Sequence, residues 1–272
     1  MKLSGQNLNK FTRTVLDFYH KEGRRHLPWR TTKNPFRIFV SEVMLQQTQV
    51  DRVIPYYKDF LKRFSTPNTL AEASLGDVLR VWSGLGYNRR AKMMHQAAQV
   101  VRREYAGRMP RSYEELLALP GVGDYTAKAV RVFAYNEPEF MIETNIRAVF
   151  LHHFFPNVEA VEDTDIMEYM ARVGIPDEPR IWYAALMDYG SYLKKSHINP
   201  SRKSKRHITQ KPFKGSSREV RGALIRAVSE HPQTQKELHT LPFNKEKIDV
   251  QIAALCDEGM LVYYRRRYGL PE

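Results

Sequence analysis

Apolar residues three or four positions apart recur along the chain to about residue 193, while strand-like alternation is scarce. That spacing puts one apolar stripe on each of a series of helices, and each stripe has to be buried against another helix. Phe11, Val15, Leu16 and Tyr19 mark the first stripe; VIPYYKDFLKRF, LAEASLGDVLRVWSGLGY and RRAKMMHQAAQVVRREY carry the next ones. Gly84 and Gly86 interrupt the pattern, as glycines between helices do. Ser112, with Glu115 three residues on, predicts a capping box ahead of YEELLALP. Four further helices are predicted over Thr126–Ala134, Thr144–Phe154, Asp163–Val173 and Arg180–Tyr192. The fold class expected is all-α.

A chain of 272 residues exceeds one small core, so two or three domains are expected. Lys194–Gly215 is polar, basic and aperiodic, the texture of a linker. Beyond it, three short helical patterns and VYYRRRYGL are similar to a winged-helix module with a terminal β-hairpin.

The formal net charge is +13. Such an excess points to a polyanion, nucleic acid first and an anionic membrane surface second. No apolar run approaches the roughly 18 residues needed to span a bilayer, and the N-terminal residues lack the apolar core of a signal peptide. The one cysteine, Cys256, excludes an internal disulfide framework and a cysteine-based metal cluster. An intracellular protein directed at DNA or RNA is expected.

Two motifs carry chemistry. Ser41–Val50, SEVMLQQTQV, sets a lone acid, Glu42, at the head of a helix-like segment otherwise apolar or amide. Amides and hydroxyls beside one acid suit a site that recognises the edge of a nucleobase and protonates it. An ordinary ion pair of Glu42 with Arg30 or Arg37 is the alternative. Leu119–Thr126, LPGVGDYT, places Gly121 and Gly123 around Val122 between two helical patterns. A tight turn there turns backbone N–H groups and a helix N-terminus toward a phosphate. This is a helix-hairpin-helix pattern, which grips a DNA strand without reading its sequence.

LPWR (27–30), SEVMLQQTQV, VIPYYKDFLKRF, WSGLGY (82–87) and LPGVGDYTA together resemble the helix-hairpin-helix DNA glycosylases, most closely the MutY-type adenine glycosylases, over roughly residues 8 to 193. The resemblance implies a two-lobed fold: a terminal-helix lobe at 1–23 and 132–193 and a helical barrel lobe with the hairpin at 24–131. The basic linker at 194–215 and the winged-helix-like module at 216–272 follow it. The resemblance also implies that the target base is rotated out of the duplex into a pocket. Glu42 would protonate the purine ring, and a partly desolvated carboxyl holds its proton closer to neutral pH. Glu143 falls where the family has an aspartate that stabilises positive charge on the deoxyribose. Its extra methylene is a departure, because a shift of about an ångström can change the rate on the order of a hundredfold.

Tyr125 stands where bifunctional relatives carry a Schiff-base lysine, so a monofunctional enzyme without lyase activity is expected, with Tyr125 a pocket wall. Arg30, Leu45, Gln47, Thr48, Leu85, Tyr87 and Asn145 match base-pocket and opposite-base positions; for Leu85 and Tyr87 the alternative is a core place beside Trp82. Gly121, Val122, Gly123 and Lys128 would hold the DNA backbone, and the hairpin 119–123 is a candidate for a monovalent cation.

The resemblance stops at two points. Most relatives bind an iron–sulfur cluster through four cysteines after the second lobe; here that region holds none, and His197 and His207 are too few to replace them. No cofactor, no metal and no cluster are therefore expected. The relatives also end in a Nudix-like domain that senses 8-oxoguanine, in place of which stand the last 57 or so residues.

The leading expectation is excision of a mispaired adenine, opposite guanine or 8-oxoguanine, by a monomer acting on double-stranded DNA, in the nucleoid or the nucleus. Excision of thymine or uracil opposite guanine is the alternative. A non-catalytic lesion sensor is the third possibility.

Overall fold

The computed structural model describes residues 5–196, 198–206 and 212–272. His197 and His207 lie outside the described residues. The all-α expectation holds: among the described residues the regular elements are helices apart from one short hairpin. In chain order the helices are α1 (Gly5–Glu22), α2 (Pro35–Leu45), α3 (Val50–Arg63), α4 (Pro67–Glu72), α5 (Leu75–Trp82), α6 (Arg89–Glu104), α7 (Tyr113–Leu117), α8 (Asp124–Tyr135), α9 (Thr144–Phe154), α10 (Asp163–Val173), α11 (Pro179–Ser196), α12 (Ser217–Glu230), α13 (Gln235–Leu238) and α14 (Lys245–Asp257). The hairpin pairs β1 (Val262–Tyr264) with β2 (Arg267–Gly269).

The chain divides into two compact units, Met1–Ile38 with Arg111–Leu117 and Val122–Thr209, and Phe39–Pro110 with Ala118–Gly121 and Gln210–Glu272. In the first unit Phe11, Val15 and Tyr19 form the buried stripe of α1, and Phe11 meets Phe150 at 5.4 Å and Trp182 edge-on at 6.0 Å. The end of α1 is tied to α11 by Arg24. Its backbone N–H donates to Asp188 Oδ2 at 2.8 Å, and its Nε and Nη2 donate to Oδ1 at 2.9 and 2.6 Å. Asp188 is 4% exposed, so this charge-assisted cluster satisfies a carboxylate that burial would otherwise penalise. A bidentate Arg147–Asp163 pair, at 2.8 and 2.9 Å, joins α9 to the head of α10.

Residues 194–196 and 198–206 carry regular structure that their polar, basic composition does not predict. Helix α11 continues to Ser196, and a 3₁₀ turn at Pro200–Lys203 packs on α9, with Ser201 Oγ donating to the Thr144 carbonyl at 3.2 Å. Pro200 and Ser201 are buried there.

The second unit collects α3 to α6 and the C-terminal elements. Five of its helices begin on side-chain caps: Thr66 with Thr69 in a capping box for α4, Ser74 for α5, Ser216 for α12, Thr234 with Glu237 for α13 and Asn244 for α14. Residues 212–272 pack within this unit instead of standing apart. Helix α12 lies on α5, and the Gly76 N–H donates to the Pro271 carbonyl at 2.8 Å.

Gly190 decides how closely α11 approaches α9, because a Cβ there would stand 2.1 Å from the Asn145 carbonyl oxygen. Gly190→Ala is expected to destabilise the protein by about 1–3 kcal/mol through overpacking. Gly222→Ala in α12, where the nearest atom would be Arg226 Nη1 at 3.6 Å, is expected to stabilise it by about 0.5–1 kcal/mol. Urea denaturation of both variants checks the pair.

Candidate active site

Glu42 does not head its helix. Helix α2 starts at Pro35, with Asn34 Oδ1 accepting from the Arg37 N–H at 3.1 Å, and ends at Leu45, which puts Glu42 in the last turn. Glu42 is 7% exposed and Ser41 beside it 1%. Gln46–Gln49 then leave the helix in a turn with Gln47 at φ 55°, and α3 begins at Val50. A helix C-terminus leaves carbonyl groups without partners, and here one guanidinium takes them up. Arg90 Nη1 donates to the carbonyls of Val43, Met44 and Gln46 at 2.8, 2.9 and 2.6 Å. Its Nη2 donates to Thr48 Oγ1 at 3.2 Å and to the Gly86 carbonyl at 3.1 Å.

Arg90 therefore locks two turns with one planar group. It also lies between the rings of Trp82 and Tyr87, 5.3 and 5.2 Å from their centroids. Burial pushes its pKa down to about 10, which leaves it charged at neutral pH. Sequence reasoning passed over this residue, since one more arginine in RRAKMM carries no signal of its own.

The second turn, Ser83–Asn88, has Gly84, Gly86 and Tyr87 at φ 96°, 86° and 52°. A Cβ on Gly84 would meet the Tyr56 hydroxyl at 2.3 Å, and its φ of 96° is one that L side chains rarely adopt, so glycine is favoured there. Tyr87 and Gln47 are non-glycine residues in the left-handed region. That is a strained conformation, which persists where the surroundings over-determine it and which concentrates at functional sites. Arg218 of α12 adds to that hold, donating from Nη1 to the Tyr87 hydroxyl at 2.7 Å and lying 5.5 Å from its ring centroid. Leu85 is 4% exposed, in the core place beside Trp82 that was its alternative. Gln47 is exposed, and Leu45 and Thr48 are half-buried.

Two adjoining cavities open on these turns, of about 480 and 450 Å³, and both are lined by Gln47, Tyr87 and Arg218. The first reaches Phe39, Val43 and Gly121, the second Arg52, Leu85 and Arg226. Their size and mixed apolar and basic lining suit a planar polar ligand and its phosphates.

The helix-hairpin-helix forms as expected: α7, a turn, then α8 starting from the N-cap Gly123. Gly121 lies at φ 75° with its absent Cβ against Met93, whereas Gly123 has extended backbone and open space around it. Leu119 and Val122 are buried and anchor the turn. Lys128 Nζ is 2.7 Å from Asp124 Oδ1 and lies over Tyr113, so its charge is partly balanced within the hairpin. Tyr125 is half-buried on the first turn of α8.

Glu143, in the first unit, is the N-cap of α9. Its Oε1 accepts from the backbone N–H groups of Asn145 and Ile146 at 2.7 and 2.9 Å, and Oε2 accepts from Asn145 Nδ2 at 3.1 Å. Asn145 Oδ1 in turn accepts from Lys194 Nζ at 3.0 Å. Burial pushes the Glu143 carboxyl above the ordinary glutamate range, against the opposing pull of these N–H donors and Lys194. The side chain thus curls back onto its own helix N-terminus.

Arg30 has its contacts within the first unit. Its Nη2 stands 3.7 Å from Asp188 Oδ1 and 3.8 Å from Met187 Sδ, and the guanidinium lies over Phe133. His153 is half-buried, its pKa pushed down to about 4 by burial and by neighbouring His152, and lies within 3.1 Å of the Tyr189 hydroxyl. Among the described residues no group of three or more His, Cys, Asp or Glu could hold a metal ion, and no helix is long and apolar enough to cross a membrane.

A buried acid ahead of an amide turn, with a helix-hairpin-helix, defines the class as a helix-hairpin-helix glycosylase fold. The model of the HhH-GPD superfamily of base excision DNA repair proteins matches residues 40–180, and the chain belongs to that superfamily. It is 42% identical over 148 residues to the adenine DNA glycosylase of Buchnera aphidicola subsp. Baizongia pistaciae, covering 54% of this chain and 42% of that one. To the Mycobacterium tuberculosis adenine DNA glycosylase it is 45% identical over 137 residues, covering 50% and 45%. The chain thus spans less than half the length of these curated relatives. A thermostable thymine-DNA glycosylase structure superposes with a TM-score of 0.61 at 25% identity, covering 74% of this chain and 91% of that one.

Arg90→Ala would leave buried carbonyls without donors, at about 1–3 kcal/mol each. A total loss of at least about 3 kcal/mol is expected, with only partial rescue by Arg90→Lys, whose single ammonium lacks the planar fork. Chemical denaturation at neutral pH measures both.

Proposed function

We propose that the chain is a monofunctional DNA glycosylase that hydrolyses the N-glycosidic bond of adenine mispaired with guanine or 8-oxoguanine in duplex DNA. The observation that carries this reading is Glu42, a carboxyl enclosed in the last turn of α2 directly before the amide turn that Arg90 holds. Membership in a base excision superfamily and the adenine DNA glycosylases among its relatives support adenine over thymine or uracil.

In this mechanism an extrahelical adenine is brought to Glu42, which gives its proton to the purine ring. The C1′–N bond breaks with its electron pair leaving on the base. Glu143, ionised, faces the positive charge that develops on the sugar, and water adds at C1′ as its proton passes to a carboxylate. Tyr125 offers no amine, so no Schiff base forms and the product is an abasic site. Gln47, Thr48 and Tyr87 meet the opposite base, and the hairpin at Gly121–Gly123 holds a phosphate. No iron–sulfur cluster takes part in this proposal, since one cysteine cannot supply four thiolates.

Duplexes carrying A:G, A:8-oxoguanine, T:G and U:G, incubated with the protein and then treated with alkali, test this reading. Strand breaks that need alkali are expected at both adenine duplexes; intact adenine strands would reject it. Glu42→Gln should lower excision by about 10²–10⁴-fold, while Glu143→Asp should retain or raise it.

The pH dependence follows from Glu143. The ionised form is required and its pKa is raised, so single-turnover excision should fall as pH drops through a value above the ordinary glutamate pKa of about 4.3. Glu143→Gln should be slow and lack that acid limb. An acid limb of wild-type position in Glu143→Gln would assign it to another group.

A further inference from the structure

The C-terminal hairpin turns through two residues, Arg265 and Arg266, at φ 48° and 61°. A two-residue turn with both φ values positive has the type I′ signature, whose twist matches that of the flanking strands. Asn-Gly dominates such turns because a β-carbon in the left-handed region crowds the following carbonyl. Two successive arginines are therefore a poor choice for the turn itself. An outlier of this kind points to a role outside local stability.

The surroundings narrow that role. Tyr268 of β2 exchanges backbone hydrogen bonds with Gln233 at 2.8 and 2.7 Å, so β2 is flanked on both sides and β1 is the outer strand. All of β1 is exposed: Val262 by 41%, Tyr263 by 60% and Tyr264 by 66%. The third arginine, Arg267, is engaged by the Pro232 carbonyl at 3.0 Å and Glu237 Oε2 at 3.2 Å. Arg265 lies over Tyr264 at 5.0 Å, and no ion pair joins Arg265 or Arg266 to a carboxylate among the described residues. Residues 212–272 hold ten Lys and Arg against eight Asp and Glu. The module is thus nearly neutral, and its tip, not its bulk, concentrates the positive charge.

We propose that this hairpin is a separate contact for duplex DNA, in which Arg265 and Arg266 meet backbone phosphates and Tyr263 and Tyr264 pack against the sugars beside them. Guanidinium groups fit phosphate oxygens in bidentate fashion, and a nearly neutral module with a doubly charged, aromatic-edged tip fits a polyanion met at one place. The proposal goes beyond base excision, since it needs duplex DNA and no chemistry.

The full chain carrying Arg265→Asn together with Arg266→Gly provides the test, because Asn-Gly suits the turn while removing both charges. Its thermal midpoint should equal or exceed that of the wild type. Its affinity for undamaged duplex, read by fluorescence anisotropy, should fall on the order of tenfold. The slope of log K against log salt should shrink by about 2, one for each phosphate contact. Arg265→Lys with Arg266→Lys should keep most of that slope. Excision at saturating enzyme should be unchanged in both variants, so failure here leaves the catalytic reading standing. Wild-type affinity and slope in a stable Asn-Gly variant would overturn the proposal and leave the hairpin to an acidic protein surface or to solvent. A lowered midpoint would overturn it as well, by giving the arginines a structural role.

Discussion

The guanidinium of Arg90 is the interaction on which the candidate site depends. Five acceptors from two turns converge on its two terminal nitrogens, three of them carbonyls at the end of α2. Without it, that helix end would be buried with orphan acceptors, and Gln47 and Tyr87 would have no common support. Because the group is planar and rigid, it fixes the two strained turns relative to each other. The amide turn and the Tyr87 turn therefore behave as one surface.

The first unit solves a parallel problem around its own acid. Glu143 folds back to cap α9, where two backbone N–H groups and Asn145 surround it. The absence of a side chain at Gly190 lets α11 approach, and Lys194 reaches Asn145 from that helix. Close packing and electrostatics are thus coupled: what sets the helix separation also sets the environment of the carboxylate. Arg24 and Asp188 hold the far side of the same helix.

Much of the fold was legible in the sequence. The stripe of Phe11, Val15 and Tyr19, the Ser112 cap, and the limits of α9 and α10 all follow from short-range rules, and short-range rules are what one sequence exposes. Glu42 and the hairpin were legible because each lies in a compact run of unusual residues. Arg90, Asp188 and Arg218 were not, since their roles arise from partners tens of residues away. Arg30 shows the converse: a motif position suggested a pocket, and its nearest acidic partner is Asp188, 158 residues on in the numbering.

By itself the sequence determined an all-helical chain with a positive charge to match a polyanion, one acid among amides, and a helix-hairpin-helix. Those are properties of composition, periodicity and neighbouring residues, which survive without coordinates. Only the tertiary structure decided that Glu42 ends its helix instead of heading it, that Glu143 caps α9, and that two arginines occupy a turn suited to Asn-Gly. Each of these depends on where hydrogen-bond partners and backbone angles fall in space, and long-range packing sets them.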